Sequence, residues 1–204
     1  MADILKFAHD PANKDWELMH CVSADGQLLH ATSKGHKAAP VTDSMKAAIG
    51  SGSGVRLWHN HPSQDSLSHH DWTCAATCPS VEIVALNETG SLFVGRVPCW
   101  DDDYETVFAA LPGLAGDLEF KMGDKAKAAG LDIHVQIALS ALTGHVLNSG
   151  LADSGATAYA HDLSDADRAT VLAASDVITF GRDYASAAIL RRIAISPAAR
   201  PPTT

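Results

Sequence analysis

The stretch from Val55 to Asp71 leaves this chain little freedom. Val55-Arg56-Leu57-Trp58 has the apolar, branched and aromatic content of a buried strand, and it runs straight into His59-Asn60-His61-Pro62. Alternate residues of an extended chain point to one side, so His59 and His61 share a face and Asn60 turns away. Pro62 stops the strand. Ser68 then stands as a candidate N-cap for a helix from His69 to about Cys78, a helix that carries Asp71 back toward the strand. Strand, sharp exit and helix follow in that order, and they gather two imidazoles and a carboxylate within thirteen residues.

That donor set suits a hydrolytic zinc site. Such sites take three nitrogen or oxygen ligands from the protein and leave a fourth tetrahedral position open. His59, His61 and Asp71 are the candidate ligands of a single zinc ion, with no cysteine required. His69 and His70 are expected on the exposed first turn of the helix, where one could stack over a substrate. His9, His20, His30 and His36 lack ligand-like pairing, and only a bulged strand would bring His20 near the site.

The same residues resemble the JAMM (MPN-plus) zinc metalloprotease family, whose signature is His-x-His-Pro, a loop, then Ser-x-x-Asp. Here it reads His59-Asn60-His61-Pro62, five loop residues, and Ser68-His69-His70-Asp71. The His-Asn-His-Pro-Ser version is similar to the bacterial branch, which includes RadC-like proteins, and the resemblance covers roughly residues 15 to 97. It implies an MPN-like (cytidine-deaminase-like) α/β fold, a mixed sheet flanked by helices. It also implies a catalytic glutamate from an early strand. Upstream of His59 the only glutamate is Glu17, at the start of the strand-like run Trp16 to Val22. Glu17 is therefore the expected general base, its alternative being a solvent-facing strand residue. Ser68, by resemblance, donates to the developing oxyanion, in addition to or instead of capping the helix.

What the family acts on is carried by resemblance alone: an amide bond, peptide or isopeptide, beside the extended C-terminal tail of a ubiquitin-like or sulfur-carrier protein. Two other classes compete with this zinc hydrolase, namely a non-catalytic MPN-like scaffold and a RadC-like nucleic-acid processing factor. Charge argues against the second. The chain has 15 lysines and arginines against 24 acidic residues, a formal charge of −9, and only Arg191-Arg192 pairs basic residues. Phosphate backbones require clustered cations, so no nucleic acid partner is expected.

The remaining sequence reads as an ordinary globular protein. No apolar run is long enough to span a membrane, and the N-terminus lacks a secretion pattern, so no membrane partner and a cytoplasmic location are expected. Cys21, Cys74, Cys78 and Cys99 are scattered and expected to be buried reduced thiols. Residues 1–100 are expected to form the catalytic domain, 101–195 a mainly helical region, and 196–204 a disordered tail. In the first part, Asp25-Gly26 predicts a hairpin between strands 16–22 and 27–32. Thr42 and Asp43 predict a capped helix ending at Gly50, and a second hairpin turns through Asn87-Glu88-Thr89-Gly90. Beyond Asp101 strands are expected to give way to helices over 104–111, 114–129, 133–146, from Ser164, and over 176–195. Pro112-Gly113 is expected to break the first two apart, and Gly181 to interrupt the last. Residues 133–137 alternate and could be a strand instead. The helical region is expected to complete the core, with a homodimer face or a hold on the protein part of the substrate as the alternative.

Overall fold

The first hairpin forms where Asp25-Gly26 directs it. The computed structural model describes residues 2–62, 65–78, 80–98 and 102–195, so the expected tail 196–204, Cys99, Ser63 of the motif loop and Asp101 as a cap lie outside them. Strand β1 (Trp16–Ser23) turns at Gly26, whose φ of 74° a side chain would resist, and returns as β2 (Leu29–His36). β2 runs four residues past its expected end, because pairing with Trp16–Met19 overrides the poor strand propensity of Ser33-Lys34-Gly35. Gly35, opposite Glu17, is obligatory for another reason. A Cβ there would lie 1.9 Å from the Ala38 carbonyl oxygen, where the chain doubles back after Lys37.

Helix α1 (Ala2–Ala8), which the sequence reading did not anticipate, precedes this hairpin and packs on β1. Helix α2 (Asp43–Gly50) starts as expected, with the Thr42 hydroxyl accepting from the Met45 amide. β3 (Val55–Asn60) follows, then α3 (His69–Thr77), β4 (Val81–Leu86) and β5 (Leu92–Arg96). Asn87 closes the β4–β5 turn by accepting from the Thr89 and Ser91 amides, the side-chain turn that Asn favours.

Beyond residue 101 the expectations need correction. One helix, α4 (Asp102–Ala128), runs through Pro112. An interior proline costs a helix about 3 kcal/mol. Here Val107, Phe108, Leu111, Leu114, Leu118, Met122 and Ala126 form one buried stripe, and packing that stripe outweighs the loss. Residues 133–137 are helical, within α5 (Ile133–Ala141), and a break at Leu142 separates α5 from α6 (Thr143–Asp153). A strand the sequence reading missed, β6 (Ala158–Asp162), pairs with β5; its Ala-Tyr-Ala-His-Asp is too polar and short to stand out. α7 (Asp165–Ala173) is capped by Ser164, and α8 (Ser175–Ile195) is continuous through Gly181. Gly181 is needed for closeness, since a Cβ would fall 2.8 Å from Met122 and Val146.

The sheet is mixed, ordered β2-β1-β3-β4-β5-β6, with β3 and β4 parallel and every other pair antiparallel. Helices flank it, as an α/β fold requires. One hydrophobic core includes Cys21 and Leu57 from the sheet, Trp72 from α3, Leu118 from α4 and Ile189 from α8. Among the described residues no helix is long and apolar enough to cross a membrane. Trp72 is fully buried over Gly95, where an added Cβ would lie 2.3 Å from Leu67 and 2.6 Å from Trp72. Gly95→Ala is therefore expected to destabilise the fold by about 1–3 kcal/mol through overpacking. Urea denaturation checks this, and an unchanged midpoint would contradict it.

Candidate metal centre

β3 and α3 bring the three predicted ligands to one point. His59 lies near the end of β3 opposite Met19, His61 follows two residues later, and Asp71 projects from the first turn of α3. His59 Nε2 lies 2.9 Å from His61 Nε2. Each ring is also 3.3 Å from an Asp71 carboxylate oxygen, His59 from Oδ1 and His61 from Oδ2. A tetrahedral ion with bonds of about 2.0–2.1 Å has ligand-to-ligand edges of about 3.3–3.4 Å. The two 3.3 Å contacts, each to a different Asp71 oxygen, match that edge, the 2.9 Å separation of the imidazole nitrogens is shorter than it, and these nitrogen and oxygen donors are ones that zinc accepts. Among the described residues this is the group of three or more His, Cys, Asp or Glu that could hold a metal ion.

Neighbouring groups fix these ligands. The Ser68 backbone and hydroxyl both donate to Asp71 Oδ2 at 2.7 Å, while Ser68 Oγ accepts from the Asp71 amide at 3.3 Å. This reciprocal capping box opens α3 and orients the carboxylate together. Ser68 is thus the expected cap, and its hydroxyl here donates to Asp71. His61 hydrogen-bonds the Asp65 backbone, the kind of outer contact that turns a ligating imidazole toward its metal. His59 Nδ1 is buried with no partner.

Glu17 is buried at 7% exposure, which removes the solvent-facing alternative. It lies on the same face of β1 as Met19, the partner of His59, and lines the same cleft as His61, Ser68 and Asp71. Asn60, given no role by the sequence reading, holds it there. The Asn60 side chain accepts from the Leu18 amide at 2.8 Å and donates to the Trp16 carbonyl at 3.0 Å, bracketing Glu17. Nothing in a lone His-Asn-His marks that role. The Ala39 amide, delivered by the turn that Gly35 permits, hydrogen-bonds the Glu17 carboxylate.

His20 takes no part. Its ring sits on the other face of β1 with Nδ1 2.9 Å from Thr32 Oγ1, and the β1 irregularity falls later, at Cys21/Val22. His69 is half-buried, His70 exposed, and their rings lie 3.8 Å apart, centroid to centroid, at the cleft mouth. Cys21 is buried and Cys74 and Cys78 half-buried, all as free thiols. Burial pushes the Cys74 thiol up to about 12.

Charge is balanced within the cluster. Burial raises the Glu17 carboxyl, and attraction to His59 and His61 only partly offsets this, so it stays above the ordinary glutamate value. Burial would also raise Asp71, but the two imidazoles outweigh it and hold that carboxyl well below the usual range. For His61, burial opposes the charge, yet Asp71 and Glu17 prevail and lift it to about 9. Compared with known proteins, the chain matches no family model, no curated protein and no solved structure.

Two outcomes follow from this geometry. His61→Ala is expected to lose zinc, as metal analysis of the purified protein would show; full retention would remove His61 from the ligand set. In the metal-free protein, His61 is held protonated by its partners. Its contribution to stability is complete below the unfolded value of about 6.5 and disappears as pH rises through about 9. Zinc uptake at pH 7 should therefore release roughly one proton. Titration calorimetry in buffers of different ionisation enthalpy measures that release, and uptake without it would contradict the assignment.

Proposed function

We propose that the chain is a zinc-dependent hydrolase of the JAMM type, built on an MPN-like version of the mixed α/β fold. Its reaction is cleavage of a peptide or isopeptide bond beside the C-terminal tail of a ubiquitin-like or sulfur-carrier protein. One observation carries this reading: three metal-competent donor atoms meet at a cleft that also holds a buried glutamate of raised pKa. A site made only to stabilise the fold would have no need of a second buried carboxylate beside an open cleft.

His59, His61 and Asp71 would hold the ion. When bound, zinc supplies Lewis-acid polarisation of the scissile carbonyl and makes water a stronger acid at neutral pH. Glu17 takes the proton from the attacking water on its carboxylate and returns it to the leaving nitrogen. Burial suits it to both halves of that task, because a raised pKa narrows the gap between accepting and releasing a proton near neutrality. The Ala39 amide and the Asn60 staple keep the carboxylate in place. Ser68 steadies the oxyanion by turning its hydroxyl from Asp71 Oδ2 to the substrate oxygen, and the backbone N–H of Ser68 continues to hold Asp71.

The cleft, about 890 Å³, runs from the donor set between the Lys37–Val41 segment and helices α4, α5 and α6. Its lining includes the small residues Ala115, Gly116, Ala141 and Gly144 with Pro112. The acidic balance of the chain favours a protein substrate over nucleic acid.

Glu17→Gln is expected to keep zinc and the fold but abolish hydrolysis. Mass spectrometry of cell proteins incubated with the zinc-loaded wild type and with this variant would reveal substrates as new termini produced by the wild type alone. Equal product patterns from the two would refute the base assignment. A zinc-loaded wild type that produces no new termini would refute the hydrolase reading.

A further inference from the structure

Residues 65–68 form a short bridge with two sets of attachments. At its ends the bridge serves the ligands: Asp65 offers backbone to His61, and Ser68 grips Asp71. Its middle is tied to the C-terminal half. Asn148, on α6, donates through Nδ2 to Ser66 Oγ at 3.0 Å and to the Leu67 carbonyl at 2.8 Å. Tyr159, on β6, joins the same serine at 2.7 Å and His145 Nδ1 at 3.0 Å.

The orientation of Asn148 is fixed. Trp72 has a donor-only indole N–H, which reaches Asn148 Oδ1 at 2.8 Å, so the amide must present its NH₂ to Ser66 and Leu67. The Leu67 carbonyl, an acceptor only, agrees with that assignment. Asn148 and Ser66 are 1% and 2% exposed, so water cannot replace a lost partner without rearrangement. Trp72 follows Asp71 on α3, so one amide holds both the bridge that enters the helix and the helix that carries the ligand.

We infer that Asn148 and Tyr159 are positioning residues of the metal centre: through Ser66 and Leu67 they set the backbone that aims His61 and Asp71. The helical half thereby becomes a working part of a site whose ligands all lie in the first half. This rests on the metal-centre reading above and adds to it, since neither residue touches the donor atoms. Groups that hydrogen-bond a metal's ligands typically change affinity by about 10–100-fold when lost, and Asn148 and Tyr159, which reach the ligands through the bridge, stand one contact further out.

The test uses the full chain. Zinc affinity is measured by chelator competition for wild type, Asn148→Ala, Tyr159→Phe and the core variant Ile189→Val, and each is also loaded with cobalt(II) to record its visible ligand-field bands. Asn148→Ala is expected to weaken zinc binding by up to about tenfold, the lower end for such groups, and to shift the cobalt bands. Tyr159→Phe, which removes one hydroxyl and keeps the ring packing, should do the same to a smaller degree. Ile189→Val, a cut in the α8 core, should lower stability and leave both readings unchanged. If Asn148→Ala does not fold, Tyr159→Phe decides. Wild-type affinity and bands in a folded Tyr159→Phe or Asn148→Ala would overturn the inference alone, as would an equal loss in Ile189→Val. A wild type that takes up no zinc would overturn the metal centre and this inference together.

Discussion

Burying two imidazoles and two carboxylates in one place is unfavourable unless their charges and lone pairs are matched. Glu17, His59, His61 and Asp71 share such a place, and much of the surrounding structure can be understood as the answer to that demand. In the metal-free chain the answer is ion pairing, with Asp71 held negative and His61 held positive by each other. A divalent cation gives a fuller one, since both imidazole nitrogens and the Asp71 carboxylate already lie within reach of one ion. A purely structural ion pair would gain nothing from a second carboxylate that burial drives toward its protonated form.

The matching is achieved by backbone placement more than by side-chain contact. Asn60 fastens β1 to the end of β3 and so sets the reach of Glu17. Gly35 lets the Lys37–Ala39 turn come close enough to give that carboxylate an amide proton. Ser68 caps α3 and orients Asp71 in one gesture. Each of these devices fixes a ligand or the base through neighbouring main chain, which is how a site is kept open and rigid together.

Much of the centre was legible in the sequence because its determinants are local. Alternation places His59 and His61 on one face, Pro62 ends the strand, and Ser68 stands as an N-cap at the start of the helix; all three rules act within a few residues. Glu17 was reachable only by resemblance and by its being the single upstream glutamate, since β1–β3 pairing is a long-range event. Asn60 and Asn148 were beyond reach for the same reason, their partners lying 42 and 81 residues away. The helical half was misread where tertiary packing overrules local preference. Pro112 sits inside α4 because a seven-residue stripe is buried on either side of it, and Gly181 serves close approach to Met122 in place of a break. β6 is exposed on most of its length and becomes a strand by pairing with β5.

The central claim is that two imidazoles and one carboxylate hold zinc with room for solvent. X-ray absorption at the zinc edge of the metal-loaded full chain measures that coordination directly. The account predicts four nitrogen and oxygen neighbours at about 2.0–2.1 Å, with the scattering pattern of two imidazole rings. A sulfur neighbour at about 2.3 Å, or a shell without two imidazoles, would contradict it.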